Sequence, residues 1–185
     1  MERGLDAGAI VRELVRQGVT HVVGLPDNTS KALFERLGAC SGPRLIGVTR
    51  EGEAFALASG LWAGGAHPLL LIQNTGLLEC GDALRGTAMR MRIPLVCLVT
   101  YRGYAGLAAL GAEERTRATT RPDAELLSRA DLDSTAVLTE PTLTAWGVPF
   151  DFLHGEDDLP KLAVAFDEAR AREHPVVRLV TADTR

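Results

Sequence analysis

The stretch Leu45–Gly65, LIGVTREGEAFALASGLWAGG, decides how the rest of the chain is read. It opens with an apolar run, Leu45 to Val48, of a length suited to a buried strand. An acid, Glu51, stands at the turn. Ala54, Leu57, Ala58 and Leu61 follow at offsets 0, 3, 4 and 7, which is one face of a helix. Small residues (Ala54, Ala56, Ala58, Gly60, Ala63) let that helix approach its neighbours closely. A carboxylate is therefore expected where a parallel strand hands over to a helix, the edge at which open α/β sheets bind ligands. The plainer reading of Glu51 is an acid favoured by the dipole of a helix N-terminus.

Outward from this stretch the same alternation repeats. Ala7, Ile10, Val11, Leu14 and Val15 make a helical stripe with Asp6 as a candidate N-cap and Gly18 as a stop. Thr20–Leu25 reads as a strand, Pro26–Ser30 as turn chemistry, and Leu33, Phe34 and Leu37 as a short helix. Beyond Gly64-Gly65, Pro68–Ile72 is apolar throughout, as buried parallel strands tend to be. Gln73–Leu77 turns into a helix with Leu84, Thr87, Ala88 and Met91 inward, and Pro94–Thr100 is a fourth strand. Residues 105–135, rich in Ala, Arg and Glu, carry no strand signal and read as an irregular excursion with some helix. A short helix from Pro141 to Trp146, a strand at Phe150–Leu153, a helix through Leu159–Ala169 and a strand at Val176–Val180 complete the chain. Strands alternating with helices predict a three-layer α/β/α domain around a six-stranded parallel sheet. No repeat or boundary divides it, so residues 1–185 read as one domain.

Composition bounds the function. A chain of 185 residues can bury a full core, and a net charge of −4 with no basic stripe argues against nucleic acid. Cys40, Cys80 and Cys97 form neither a disulfide framework nor a zinc pattern, and the four histidines are scattered, so no metal site is expected in this chain. The opening MERGLDAGAI has charges where a secretion signal needs an apolar run, and no stretch approaches the ~20 apolar residues of a membrane span. The expected compartment is the cytoplasm, with no membrane partner.

Four segments fall at the C-terminal ends of the expected strands: Pro26–Ser30, Arg50–Glu53, Gln73–Leu77 and Tyr101–Gly103. Neither GxGxxG nor GxxxxGK[ST] occurs, so a nucleotide-binding Rossmann-type reading lacks its glycines. Asp27 suits an Asx turn, Asn74 and Leu77 an ordinary strand-to-helix turn, Arg102 an ion pair or a bidentate anion contact, and Glu53 an acid in the first turn of a helix.

Read as a pattern, Arg50-Glu51, Ala54 and Ala58-Ser59-Gly60-Leu61-Trp62-Ala63 resemble the pyrimidine-binding (PYR) domain of thiamine diphosphate enzymes. Gly24-Leu25-Pro26-Asp27, Gln73–Leu77, Arg92–Leu95, Tyr101-Arg102-Gly103 and Gly147-Val148-Pro149 occur in the order found in sulfopyruvate and phosphonopyruvate decarboxylases, closest to the α subunit. The resemblance implies that Glu51 hydrogen-bonds N1′ of the cofactor's aminopyrimidine and activates it. It also implies that Asp27 faces the reacting carbon, that Pro26, Asn74 and Leu77 line the cofactor pocket, and that Asn28 and Arg102 meet the substrate. In that family a Gly-Asp-Gly…Asn motif in a pyrophosphate-binding (PP) domain holds the diphosphate and Mg²⁺. This sequence has no such motif, so a β subunit carrying the PP domain is the implied partner, in a homo- or hetero-oligomer. Leu78, Glu79 and Asp82 depart from the subgroup's Gly-Asn and later Asn, Asn28 stands where it tends to have Ser, and residues 103–141 look longer than in relatives. The readings left open are a subunit acting on another 2-oxo acid and a non-catalytic PYR-like regulatory module.

Overall fold

The structure, a computed structural model, describes residues 4–185; the charged opening at residues 1–3 lies outside the described residues. Helix α1 (Ala7–Arg16) starts where Asp6 Oδ1 accepts the Gly8 N–H at 2.7 Å. It buries Ala7, Ile10, Val11 and Leu14, whereas Val15, expected in the same stripe, is exposed. Strand β1 (His21–Gly24), helix α2 (Lys31–Ala39), strand β2 (Arg44–Gly47), helix α3 (Glu51–Ala63) and strand β3 (Pro68–Gln73) follow. After α4 (Asn74–Glu79), α5 (Gly81–Ala83) and a π-helical segment (Leu84–Met89) comes β4 (Val96–Thr100). Helices α6 (Tyr104–Ala108), α7 (Ala112–Thr120), α8 (Ala124–Leu127) and α9 (Ser134–Ala145) precede β5 (Phe150–Leu153), and α10 (Pro160–Arg172) precedes β6 (Val176–Val180).

All six strands pair in parallel in the order β2-β1-β3-β4-β6-β5. Side chains of a strand alternate between faces, so the run Leu69–Ile72 feeds two cores at once. Leu69 and Leu71 join α1, α2 and α10 on one face; Leu70 and Ile72 join α3, α4 and α9 on the other. The expected three-layer α/β architecture is present. The direction of strand addition reverses about β1, which puts a ligand crevice outside the C-terminal ends of β1 and β3. There the backbones close tightly: a Cβ on Gly24 would lie 1.8 Å from Leu71 O, so only glycine fits.

Five expectations need correcting. Met91, expected on an inner helical face, is 43% exposed, because the π-helical segment ends at Met89. β2 is an edge strand with Leu45 and Ile46 only partly buried, because β1 alone pairs with it. The buried face of α3 is Ala54, Phe55, Ala58 and Ser59, while Leu57 is 38% exposed, because the π-helical segment and α4 lie to the Phe55 side. Residues 105–135 are largely helical: Leu107, Ala118, Leu126 and Leu132 anchor α6–α8 and the turn after them against α9. Helix α9 starts at Ser134, not Pro141, because Asp133 caps it by accepting the Thr135 N–H at 2.9 Å. Pro141 then sits inside the helix at the cost of one backbone hydrogen bond. No described helix is long and apolar enough to cross a membrane, and among the described residues no cluster of three His, Cys, Asp or Glu could hold a metal.

Candidate active site

Glu51 is the first residue of α3, and the turn that leads into it is tied twice. Glu53 Oε2 accepts from both the N–H and the Oγ1–H of Thr49, each at 3.1 Å. The Thr49 N–H is the main reason the Glu53 carboxyl sits below its usual range. Glu79, at the end of α4, accepts the Gly52 N–H at 3.0 Å and forms an ion pair with Arg50. Glu51 itself is partly buried, and its carboxylate makes no hydrogen bond or ion pair with any described residue. Its side chain lies on the backbone of α4: a Cβ on Gly76 would fall 2.1 Å from Glu51 Cδ and 2.3 Å from Oε1. Beneath, the Cys80 thiol donates to Gly76 O at 2.8 Å. Burial, then the charges of Glu79 and Glu51, push that thiol up to about 12, so it remains protonated and is no nucleophile.

The other sequence-selected residues divide into two groups. Asp27, Asn28 and Arg102 meet in a cavity of about 580 Å³ at the C-terminal edge of the sheet, with Gln73, Tyr104 and Thr181 also in its wall. Asp27 Oδ1 accepts the N–H groups of Thr29 (2.7 Å) and Ser30 (3.0 Å), and its Oδ2 accepts the Thr100 hydroxyl at 2.6 Å. The Asx turn is therefore real, and it also pins the end of β1 to the end of β4. Arg102 Nε donates to Asp133 Oδ2 at 2.9 Å, while its two Nη nitrogens make no hydrogen bond with described residues. Asn28 is exposed at the cavity mouth, and Pro26 beside it is exposed as well.

Asn74 and Leu77 lie deeper. Asn74 is fully buried: its Nδ2 donates to Arg102 O (3.1 Å) and Thr139 Oγ1 (3.0 Å), and its Oδ1 accepts the Arg102 N–H at 3.1 Å. It fixes the backbone from which Arg102 projects. Leu77 is fully buried in the core under α3. Sequence reasoning did not find the Glu79 clamp, the Gly76 floor, or Tyr104 and Thr181. The glycine in Gln73–Leu77 was the one available signal.

Tyr101 also lines the cavity, and its single hydroxyl hydrogen faces two acceptors, Ala136 O and Glu140 Oε1, both at 3.0 Å. Burial raises the Glu140 carboxyl above its ordinary 4.5, outweighing the Tyr101 hydrogen bond and the Arg115 charge, which pull it down. The folded state then holds the proton more tightly than the unfolded chain. Its contribution is fully present below pH 4.5 and is lost as pH rises through the folded value. Glu140→Gln, which supplies an uncharged partner for Tyr101, should flatten that fall. Melting temperatures of the two proteins across pH 4 to 8 check it; parallel curves would assign the slope to other groups.

The domain is thus an α/β sheet whose C-terminal edge carries a polar cavity at the ends of β1, β3 and β4 and, at the start of α3, a carboxylate without a partner among the described residues. The same fold is seen in the crystal structure of benzoylformate decarboxylase from Polynucleobacter necessarius: TM-score 0.67 at 19% identity, covering 98% of this chain and 30% of that one. The family described as the N-terminal TPP binding domain of thiamine pyrophosphate enzymes matches residues 7–123, and the chain belongs to it. Among curated relatives, phosphonopyruvate decarboxylase of Streptomyces viridochromogenes is 36% identical over 102 residues, 55% of this chain and 26% of that protein. Sulfopyruvate decarboxylase subunit alpha of Methanococcus maripaludis is 28% identical over 95 residues, 51% of this chain and 57% of that subunit. The chain therefore spans between about a quarter and somewhat over half the length of these relatives.

Proposed function

We propose that this chain is the α subunit of a two-chain thiamine diphosphate-dependent decarboxylase acting on 3-sulfopyruvate or phosphonopyruvate. The observation that carries the reading is Glu51, a carboxylate with no hydrogen-bond or ion-pair partner among the described residues, held over the glycine floor of Gly76. Those residues fit the family's cofactor, because a ring nitrogen can approach Glu51 without displacing an existing bond. The cofactor, when bound, supplies the electron sink for decarboxylation. Glu51 would hold a proton at N1′, with Pro26, Asn74 and Leu77 framing the pocket directly or through the backbone they fix. Asp27, held by three hydrogen bonds in the cavity wall, is assigned to facing the reacting carbon.

The sulfonate or phosphonate end of the substrate is assigned to Asn28 and the Nη nitrogens of Arg102, since a guanidinium pairs bidentately with such oxyanions. The diphosphate and Mg²⁺ are assigned to a β subunit with a PP domain, a partner supported by the "subunit alpha" name of the Methanococcus maripaludis relative. A face for that partner is available. Helix α3 is apolar nearly all round, and its Leu57 stays exposed while Leu61 and Trp62 are only partly buried, a pattern that belongs to a helix covered on both sides.

Reconstitution tests the reading. The chain alone should show no turnover; mixed with the PP-domain partner it should release CO₂ from 3-sulfopyruvate or phosphonopyruvate. In that assembly Arg102→Lys keeps charge but loses the planar fork. The apparent affinity for the dianions should fall roughly tenfold or more while that for pyruvate changes little. Equal loss for all substrates would make Arg102 only the partner of Asp133.

A further inference from the structure

We infer that Glu79 is a positioning residue for Glu51, an inference that rests on the role of Glu51 proposed above. Helix α4 grips the first turn of α3 at two points one turn apart on its own surface. Gly76 receives the Glu51 side chain, and Glu79 reaches across to the Gly52 N–H and the Arg50 guanidinium. Arg50 and Gly52 are the residues on either side of Glu51 in the chain. Neither Arg50, at the N-cap, nor Glu51 offers a side chain to the free N–H groups of that turn. Glu79 takes one of them.

The first turn of a helix frays unless its N–H groups are bonded, and fraying here would swing the Glu51 carboxylate off Gly76. A carboxylate of Glu79 does two jobs that one neutral group cannot. One oxygen accepts the N–H of Gly52 and the other faces Arg50, so both neighbours of Glu51 are held by a single side chain. Glu79 lies on the surface, so replacing it leaves the core intact.

The test compares Glu79→Met, which keeps length and removes both acceptors, with Glu79→Gln, which keeps an acceptor for Gly52 and loses the ion pair. In the full chain alone, amide hydrogen exchange of Gly52 should speed up in Glu79→Met and stay near wild type in Glu79→Gln. In the reconstituted enzyme Glu79→Met should lower kcat roughly tenfold with KM nearly constant, because a misplaced group costs rate and not affinity. Glu79→Gln should recover most of that loss. A double-mutant cycle then asks whether Glu79 acts through Glu51: added to Glu51→Gln, Glu79→Met should slow cofactor C2 exchange no further. The inference is overturned if Gly52 exchange and kcat both stay within twofold of wild type in Glu79→Met. It is overturned equally if the loss is in KM, or if the two substitutions multiply. Should Glu51→Gln alone leave C2 exchange unchanged, the proposed role of Glu51 falls as well. Gly52 exchange still reports by itself on whether the clamp exists.

Discussion

In the proposed two-chain enzyme, Glu51→Gln is expected to slow deprotonation of the cofactor at C2 by ~10²–10⁴-fold, the usual contribution of a positioned proton-transfer group. Glutamine has the same length and still hydrogen-bonds, yet cannot cycle a proton with a ring nitrogen. The fold should be indifferent to the change. The Glu51 carboxylate has no partner among the described residues to lose, and the turn around it is held by Glu53 and Glu79. Cofactor should still bind, because in the proposed assembly its diphosphate is held by the partner chain and not by Glu51. Hydrogen–deuterium exchange at C2 reads the step apart from substrate binding. Exchange at the wild-type rate would leave Glu51 as an acid that merely complements the dipole of α3.

The second large effect is expected at Gly76. Gly76→Ala puts a methyl group 2.1–2.3 Å from Glu51 Cγ, Cδ and Oε1, where both cannot remain. Helix α4 has no reason to resist alanine, which is favoured over glycine within a helix by about 1 kcal/mol. Glu51 is only partly buried and has no hydrogen-bond or ion-pair partner among the described residues, so it is the group that moves. The variant should melt within a few degrees of wild type and yet lose on the order of 10²-fold in C2 exchange, the scale set by a misplacement of about 1 Å. A large drop in melting temperature with exchange preserved in the folded fraction would show that α4 yields instead. The glycine would then serve packing alone.

The two variants separate contributions that the sequence could not. Near neighbours in the chain set what was legible: the apolar run Leu69–Ile72 dictates a strand buried on both faces. The alternation of such runs with helical stripes dictates a parallel α/β sheet, and the Glu51 segment places an acid at a strand-to-helix turn. These follow from side-chain periodicity and turn chemistry, which act over a few residues.

What the tertiary structure decided is every feature that depends on a partner far away in sequence. Which stripe of α3 is buried depends on where α4 and the π-helical segment pack, so Phe55 and Ser59 went inside and Leu57 stayed out. The pattern of α3 could not say so, because the helix is apolar on nearly every side. Pro141 looked like a helix start until the Asp133 cap placed the start at Ser134 and tertiary packing carried the helix through the proline. Asp27 and Asn74 looked alike as polar turn residues. Only the approach of Thr100, Arg102 and Thr139 turned Asn74 inward as a buried clamp and left Asp27 in the cavity wall. Glu79 became the anchor of the turn around Glu51 because two helices that the sequence separates are pressed together over Gly76. Local chemistry chose the elements; burial, which counts contacts without regard to distance along the chain, chose their partners.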